Sequence, residues 1–258
     1  MQRFSLFFFF LFLFFSPRVF SSPVNLEKWQ EATLYNNQGL EYERQGNVDE
    51  AFKSYEKAIQ TDPTLAIAYS NLGNLYYERR DYKEAANFFK KAIRIHPEMA
   101  NFHVNLANVF YAGKDYDKAI SEYEVALKLD SSNAVAENNL GDAYLRKGSF
   151  QLAHHHLGKA IELNSRLAVA YANRGELYLL EKRQDEARES LKRAVELNPE
   201  EAEPYFHLAK IYEDAYNTPL ALTHYGAYLE RSPRGPRALE VAKKIQDLSM
   251  QANQSRQS

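Results

Sequence analysis

Five asparagines recur at one spacing. Asn37, Asn71, Asn105, Asn139 and Asn173 stand 34 residues apart, and His207 takes the next place in the series. A carboxamide offers one acceptor group and two donors, so a single side chain can bond both the N–H and the C=O of a peptide without reading the residue beside it. A row of such groups suits the gripping of an extended main chain. Asn74, Asn101 and Asn108, with the phenols Tyr77 and Tyr111, fall in the second and third copies of the same phrase and would add polar and aromatic contacts.

Other chemistry is thinly represented. "HHH" at 154–156 invites a metal, but successive helical residues point about 100° apart, so at most two could share a simple site. A polar helix surface is the expected reading, with no metal. The chain has no cysteine, which removes disulfides, thiolate ligands and a thiol nucleophile. No nucleophile elbow, glycine-rich phosphate loop or HExxH appears. No catalytic residue or cofactor is assigned, and a non-enzymatic chain is expected. Formal charge is -2, with both signs intermixed, so nucleic acid is not an expected partner.

The elements that must carry the asparagines follow from the same spacing. With Ala32 as position 1, six ungapped units run 32–65, 66–99, 100–133, 134–167, 168–201 and 202–235. Position 8 is always small: Gly39, Gly73, Ala107, Gly141, Gly175 and Ala209. Position 20 is always alanine, and position 11 is always aromatic, from Tyr42 to Tyr212. At 3.6 residues per turn, positions 4, 7, 8 and 11 share one stripe of a first helix, and 20, 24 and 27 share one of a second. A glycine within a helix costs about 1 kcal/mol against alanine, so the glycine column predicts close approach of the two helices. Polar breaks at positions 14–17 supply the turn. Pro63, Pro97, Pro199 and Pro233 at position 32 stop the second helix. A lone hairpin cannot bury its stripe, so neighbours stack.

Small at 8, aromatic at 11, Ala at 20, aromatic or Leu at 24, Ala at 27 and Pro at 32 resembles the tetratricopeptide repeat (TPR) family, over nearly the whole chain. The resemblance implies an all-α right-handed solenoid that binds protein or peptide partners on its concave side. Positions 2, 5, 6, 9, 12 and 13 are expected there. The asparagine row is similar to that in the TPR superhelix attached to O-linked N-acetylglucosamine transferases, although the transferase domain itself is absent. Inherited family habit is the alternative source of the row. The carboxylate clamp of chaperone-binding TPR proteins does not fit, since Thr33, Asn36, Ile67, Ser70, Asn101 and Val104 hold its positions. His103 and Glu137 replace the position-4 aromatic and should loosen the third and fourth units.

Glu176, Glu201, Glu203, Glu213 and Asp214 make the last units acidic and would favour a partner with a basic end. At the array's ends, Asn25 should cap an extended first helix over residues 22–31, with Trp29 as apolar cover. Pro219 should start the sixth unit's second helix, and Tyr228 replaces its packing alanine. Leu239, Ala242, Ile245 and Leu248 predict an amphipathic capping helix over 236–249, with Lys243 and Lys244 on its wet side and a disordered tail over 250–258.

Residues 1–21 are different material. A short basic start ending in Arg3, the run "FSLFFFFLFLFF" at 4–15 and then "SPRVFSS" follow the order of a secretory signal peptide, with cleavage expected after Ser21. Twelve residues span only about 18 Å as helix, against a hydrocarbon core of about 30 Å. The alternative is an uncleaved anchor, the one case in which membrane association is expected. The chain is therefore read as an adaptor exported to a periplasm or secretory pathway, or else as a self-associating scaffold of a multiprotein assembly. "NQS" at 253–255 would be a glycosylation sequon in the secretory case.

Overall fold

The computed structural model describes residues 25–254. The signal segment 1–21 lies outside the described residues, as do 22–24 and 255–258. Thirteen helices and no strand are present among the described residues. They form six antiparallel hairpins, α1(Leu26–Arg44) with α2(Val48–Thr61), α3(Ala66–Glu78) with α4(Tyr82–Ile95), α5(Ala100–Ala112) with α6(Tyr116–Leu129), α7(Ala134–Arg146) with α8(Phe150–Leu163), α9(Ala168–Leu180) with α10(Gln184–Leu197) and α11(Glu203–Asp214) with α12(Thr218–Arg231), closed by α13(Ala238–Gln254). Each hairpin stacks on the next, giving an all-α solenoid. First helices of successive units also touch, α3 with α5 and α7 with α9, so the odd-numbered helices line the inner side.

The glycine column has the expected cause. A methyl group on Gly39 would lie 2.5 Å from the Tyr55 ring, and one on Gly175 would lie 2.6 Å from Leu191. Both distances are far inside van der Waals contact, so the position-24 side chain occupies the space that a Cβ would need. The position-20 alanines Ala51, Ala85, Ala119, Ala153, Ala187 and Ala221 are fully buried.

Two devices recur at the helix ends. Position 15 is left-handed in every unit: Gly46, Arg80, Lys114, Gly148, Lys182 and Tyr216 have φ between 57° and 76°. The next N–H then reaches back to the position-11 carbonyl, as in Asn47 to Tyr42 at 2.8 Å and Asn217 to Tyr212 at 2.8 Å, the Schellman pattern. Proline is not what ends the second helix, because α6 and α8 stop at the same register with Ser131 and Ser165 in its place. An Asx turn does this work where position 31 is Asp or Asn: Asp62, Asp130, Asn164 and Asn198 each accept the backbone N–H two residues on, at 2.9–3.3 Å.

Units three and four are not loosened by His103 and Glu137. His103 pairs with Glu122 at 2.8 Å and with the Pro97 carbonyl at 3.2 Å. Glu137, 1% exposed, pairs with His156 at 2.7 Å and Lys159 at 2.5 Å. Hydrogen bonds to carboxylates stand in place of the aromatic contact at those two places. His154 bonds Glu181 at 2.9 Å, so two of the three consecutive histidines hold carboxylates on neighbouring helices.

The ends differ in detail from expectation. Asn25 does cap α1, accepting from the Lys28 N–H at 3.2 Å, but Trp29 is 42% exposed and gives only partial cover. The buried stripe of α13 is Ala238, Val241 and Leu248, with Ile245 half-buried; Leu239 is 90% exposed. Lys244 is bound to Glu213 at 2.6 Å while its side chain stays 41% exposed. The helix continues to Gln254, past the expected end at 249, because Met250, Gln251 and Ala252 are good helix formers with no breaker among them. Tyr228, fully buried, packs with Phe206, Val241 and Leu248. A large side chain is needed there because a single helix, not a hairpin, follows.

Candidate peptide-binding groove

The groove face of each first helix is set by positions 2, 6, 9 and 13, which recur at three- and four-residue steps. Position 5 does not belong to it. Asn36, Ser70, Val104, Asn138 and Phe206 are all buried, because that column points into the junction with the next unit.

This changes the role of the asparagine row. The Asn71 Nδ2 donates to Asn36 Oδ1 of the preceding unit at 2.9 Å, and Asn173 Nδ2 donates to Asn138 Oδ1 at 3.0 Å. Asn105 Nδ2 reaches Ser70 Oγ at 3.4 Å. In the third unit Val104 cannot accept, and Asn139 turns instead to Asn108 Oδ1 at 3.2 Å while accepting from Asn138 at 3.0 Å. One donor of each of these amides therefore ties neighbouring units together. Asn37 has no unit before it and is exposed, as are Asn74 and Asn101. The side chains of these three make no hydrogen bond among the described residues.

Tyr77, Asn108, Tyr111 and Asn139 come together, with Tyr123 and Asp142, around a cavity of about 260 Å³. Tyr111 donates to Asp142 Oδ2 and Tyr123 to Asn108 Oδ1, both at 2.5 Å. Arg146 joins Asp142 at 3.0 Å and spans to the next unit, gripping Glu176 with both terminal nitrogens at 2.7 and 2.8 Å. Burial pushes the Asp142 carboxyl up, opposed by the Tyr111 hydroxyl and Arg146. Burial, then Asp142, pushes the Tyr111 phenol up. Bonding to Glu176 holds the Arg146 guanidinium firmly charged.

Asn173 lies apart from that group, in a second cavity of about 360 Å³ shared by the fourth to sixth units and Arg237, the residue before α13. The sequence reading did not single out Asp142 and Arg146 as groove residues, and it noted His207 only as the next place in the asparagine series. Position 9 for Asp142 and position 13 for Arg146 were the available signals. It also took the C-terminal acids as a free patch, whereas Glu176 is held by Arg146, Glu203 by Arg237 at 3.4 Å and Glu213 by Lys244. Position 2 adds an apolar row, Ile67, Val135 and Val169, each 44–49% exposed. No described helix is long and apolar enough to cross a membrane.

No curated protein matches this chain in sequence. Among solved structures, a chain of the APC/C hetero-tetramer Cut9–Hcn1 is similar with TM-score 0.74 at 21% identity, over 83% of this chain and 42% of that one. This chain thus spans less than half of that relative. PilW, a widely conserved type IV pilus biogenesis factor, gives TM-score 0.74 at 19% identity, over 83% and 99%. YrrB, described as a TPR protein with an unusual peptide-binding site, gives 0.52 at 25%, over 73% and 97%. The first two likenesses carry the fold alone. Family models described as tetratricopeptide repeat match residues 30–98, 70–134 and 138–202, in register with the hairpins, and the chain belongs to the tetratricopeptide repeat family.

Proposed function

We propose that the protein is a non-catalytic adaptor that holds an extended peptide segment along the inner face of its first helices. TPR arrays are protein-interaction scaffolds, and the observation that supports the finer reading is the state of the amides. Asn37, Asn74 and Asn101 face the groove without a partner, and Asn71, Asn105 and Asn173 each spend one donor on the preceding unit, leaving an acceptor and a second donor. The half-exposed row Ile67, Val135 and Val169 beside them would cover the apolar side chains of such a segment. Export, and membership of an exported or envelope complex, rests on the signal-like segment at 1–21.

The test uses a partner captured from the exported fraction of the native host. Asn74 and Asn101 are exposed, so changing both to alanine should leave the melting curve unchanged. Two lost hydrogen bonds at about 0.5–1.5 kcal/mol each should weaken binding roughly five- to 150-fold. Unchanged affinity would remove the groove from the mechanism.

Exposed Leu26, Trp29 and Leu34 on α1, 62%, 42% and 55% accessible, favour the second reading, a self-associating scaffold. Light scattering over a dilution series separates the two. A monomer fits the adaptor; an oligomer that resists dilution fits the scaffold.

A further inference from the structure

We propose that the cavity between the fifth and sixth units is a side-chain pocket that receives one tyrosine of the bound segment. The inference rests on the groove reading and names what its C-terminal end selects. The cavity exists because of one residue. Position 5 fills the junction with Asn36, Ser70, Val104, Asn138 or Phe206 in the other units, all buried, and is Ala172 here. The ladder is broken at the same place. The Ala172 methyl cannot accept a hydrogen bond, and His207 stands where an asparagine would donate one. About 360 Å³ is left open down to Leu191 and Ala194, core residues of α10.

The lining selects against charge. Arg146 spends both terminal nitrogens on Glu176, and Arg237 lies 3.4 Å from Glu203. A cation entering the pocket would face two guanidinium groups, and an anion would face Glu176, Glu201 and Glu203. An anion would lose water without gaining a free counter-charge, and a cation would gain only the Glu201 carboxylate, which is exposed and screened by water. Ala168, Val169, Ala172, Ala194 and Pro204 form a hydrocarbon side of the wall, with the Asn173 and Asn198 amides beside it.

A hydrocarbon ligand fits less well than a phenol. His207 lines the cavity and has no hydrogen-bond partner among the described residues. Burial lowers its pKa to about 4, so the imidazole is neutral at pH 7 and keeps one accepting nitrogen. Covering that nitrogen with an apolar group would leave it dry and unpaired. A ring with a hydroxyl at its far end satisfies both the wall and the imidazole.

The experiment titrates the whole protein with N-acetyl-tyrosine amide and with the phenylalanine, leucine, lysine and glutamate amides, following the Ala172 methyl and the His207 ring by NMR. The tyrosine amide should give saturable shifts at both groups. It should bind about fivefold more tightly than the phenylalanine amide, the effect of one neutral hydrogen bond. Ala172→Leu should abolish the shifts; it is a mild change, since Val104 and Phe206 hold the same column elsewhere. His207→Phe should keep binding but level tyrosine with phenylalanine. Absence of saturable shifts, equal or tighter binding of any other amide, or shifts that persist in Ala172→Leu would overturn the pocket. Single-residue amides cannot span two units, so failure here leaves the groove to the Asn74 and Asn101 test.

Discussion

Asn173 donates its Nδ2 proton to Asn138 Oδ1 at 3.0 Å, from the groove side of one unit into the buried junction of the unit before it. Asn138 is 2% exposed, so its carbonyl has no access to water if the bond is lost. Asn138 also donates to Asn139. Asn138→Ala should therefore cost about 1–3 kcal/mol in urea denaturation, through unsatisfied partners rather than lost contact area. A destabilisation below 0.5 kcal/mol, on the order of an ordinary surface change, would show that the amides bond water instead.

The glycine column gives a prediction with an internal control. Gly39→Ala sets a Cβ 2.5 Å from the Tyr55 ring. It should destabilise by about 1–3 kcal/mol, although alanine is the better helix former. Gly158 and Gly226, in α8 and α12, have nothing within 4 Å of a new Cβ. Their alanine variants should gain about 0.5–1 kcal/mol. Thermal melts of the three variants decide the matter by their opposite signs.

At Tyr216 the chain holds a bulky residue at φ 57°, 94% exposed, with no burial to offset the strain. The left-handed conformation costs an L-residue roughly 1–2 kcal/mol. Tyr216→Gly should raise stability by about 0.5–1.5 kcal/mol after the larger entropy loss of glycine. Lys114→Gly, at the same register with φ 62°, should behave alike.

His207 should make stability fall with acid. Burial sets its folded pKa at about 4, below the ordinary value of 6.5; Glu176 opposes the shift, while Arg237, Lys210 and Arg146 reinforce it. Between those values the unfolded chain binds more protons, so stability is complete above about pH 6.5 and declines as pH falls toward 4. The loss should be about 2–3 kcal/mol. His207→Asn should flatten this step relative to wild type in urea titrations at pH 7 and pH 4.5. Parallel pH curves for the two proteins would mean that the imidazole is solvated.

The helices, their turns and the small residues between them were legible because each depends on neighbours three, four or sixteen residues away within one unit. Gly39 and Tyr55 are such a pair. The site was less legible. Whether Glu176 is a free acid or the counter-ion of Arg146 depends on contacts between units. These recur at 30 or 31 residues, as in Arg146–Glu176, Tyr111–Asp142 and Lys244–Glu213, and at 35, as in Asn71–Asn36. Position 5 was misplaced for a related reason: helical periodicity separates wet from dry faces, but in a stack the flank against the next unit is dry as well. The left-handed position 15 was hidden because only Gly46 and Gly148 announce it; Arg80, Lys114, Lys182 and Tyr216 are forced there by the hairpin.

The missing rung at the fifth and sixth units has a mechanical consequence. In a row of identical links whose strength comes from each link's grip on its neighbour, the row parts first where one grip is missing. Four junctions carry an amide tether, and the fifth carries His207 beside Ala172 and an open volume. The terminal segment of α11, α12 and α13 keeps its own core around Phe206, Tyr225, Tyr228 and Val241, and it is held to the fifth unit by Leu208 and Ile211 packed on Ala187 and Leu191 and by the Tyr205 and Arg231 bonds to the Pro199 carbonyl rather than by an amide. The junction that lacks an amide tether and the mouth of this cavity are then the same place, and whatever fills the cavity also bridges that junction.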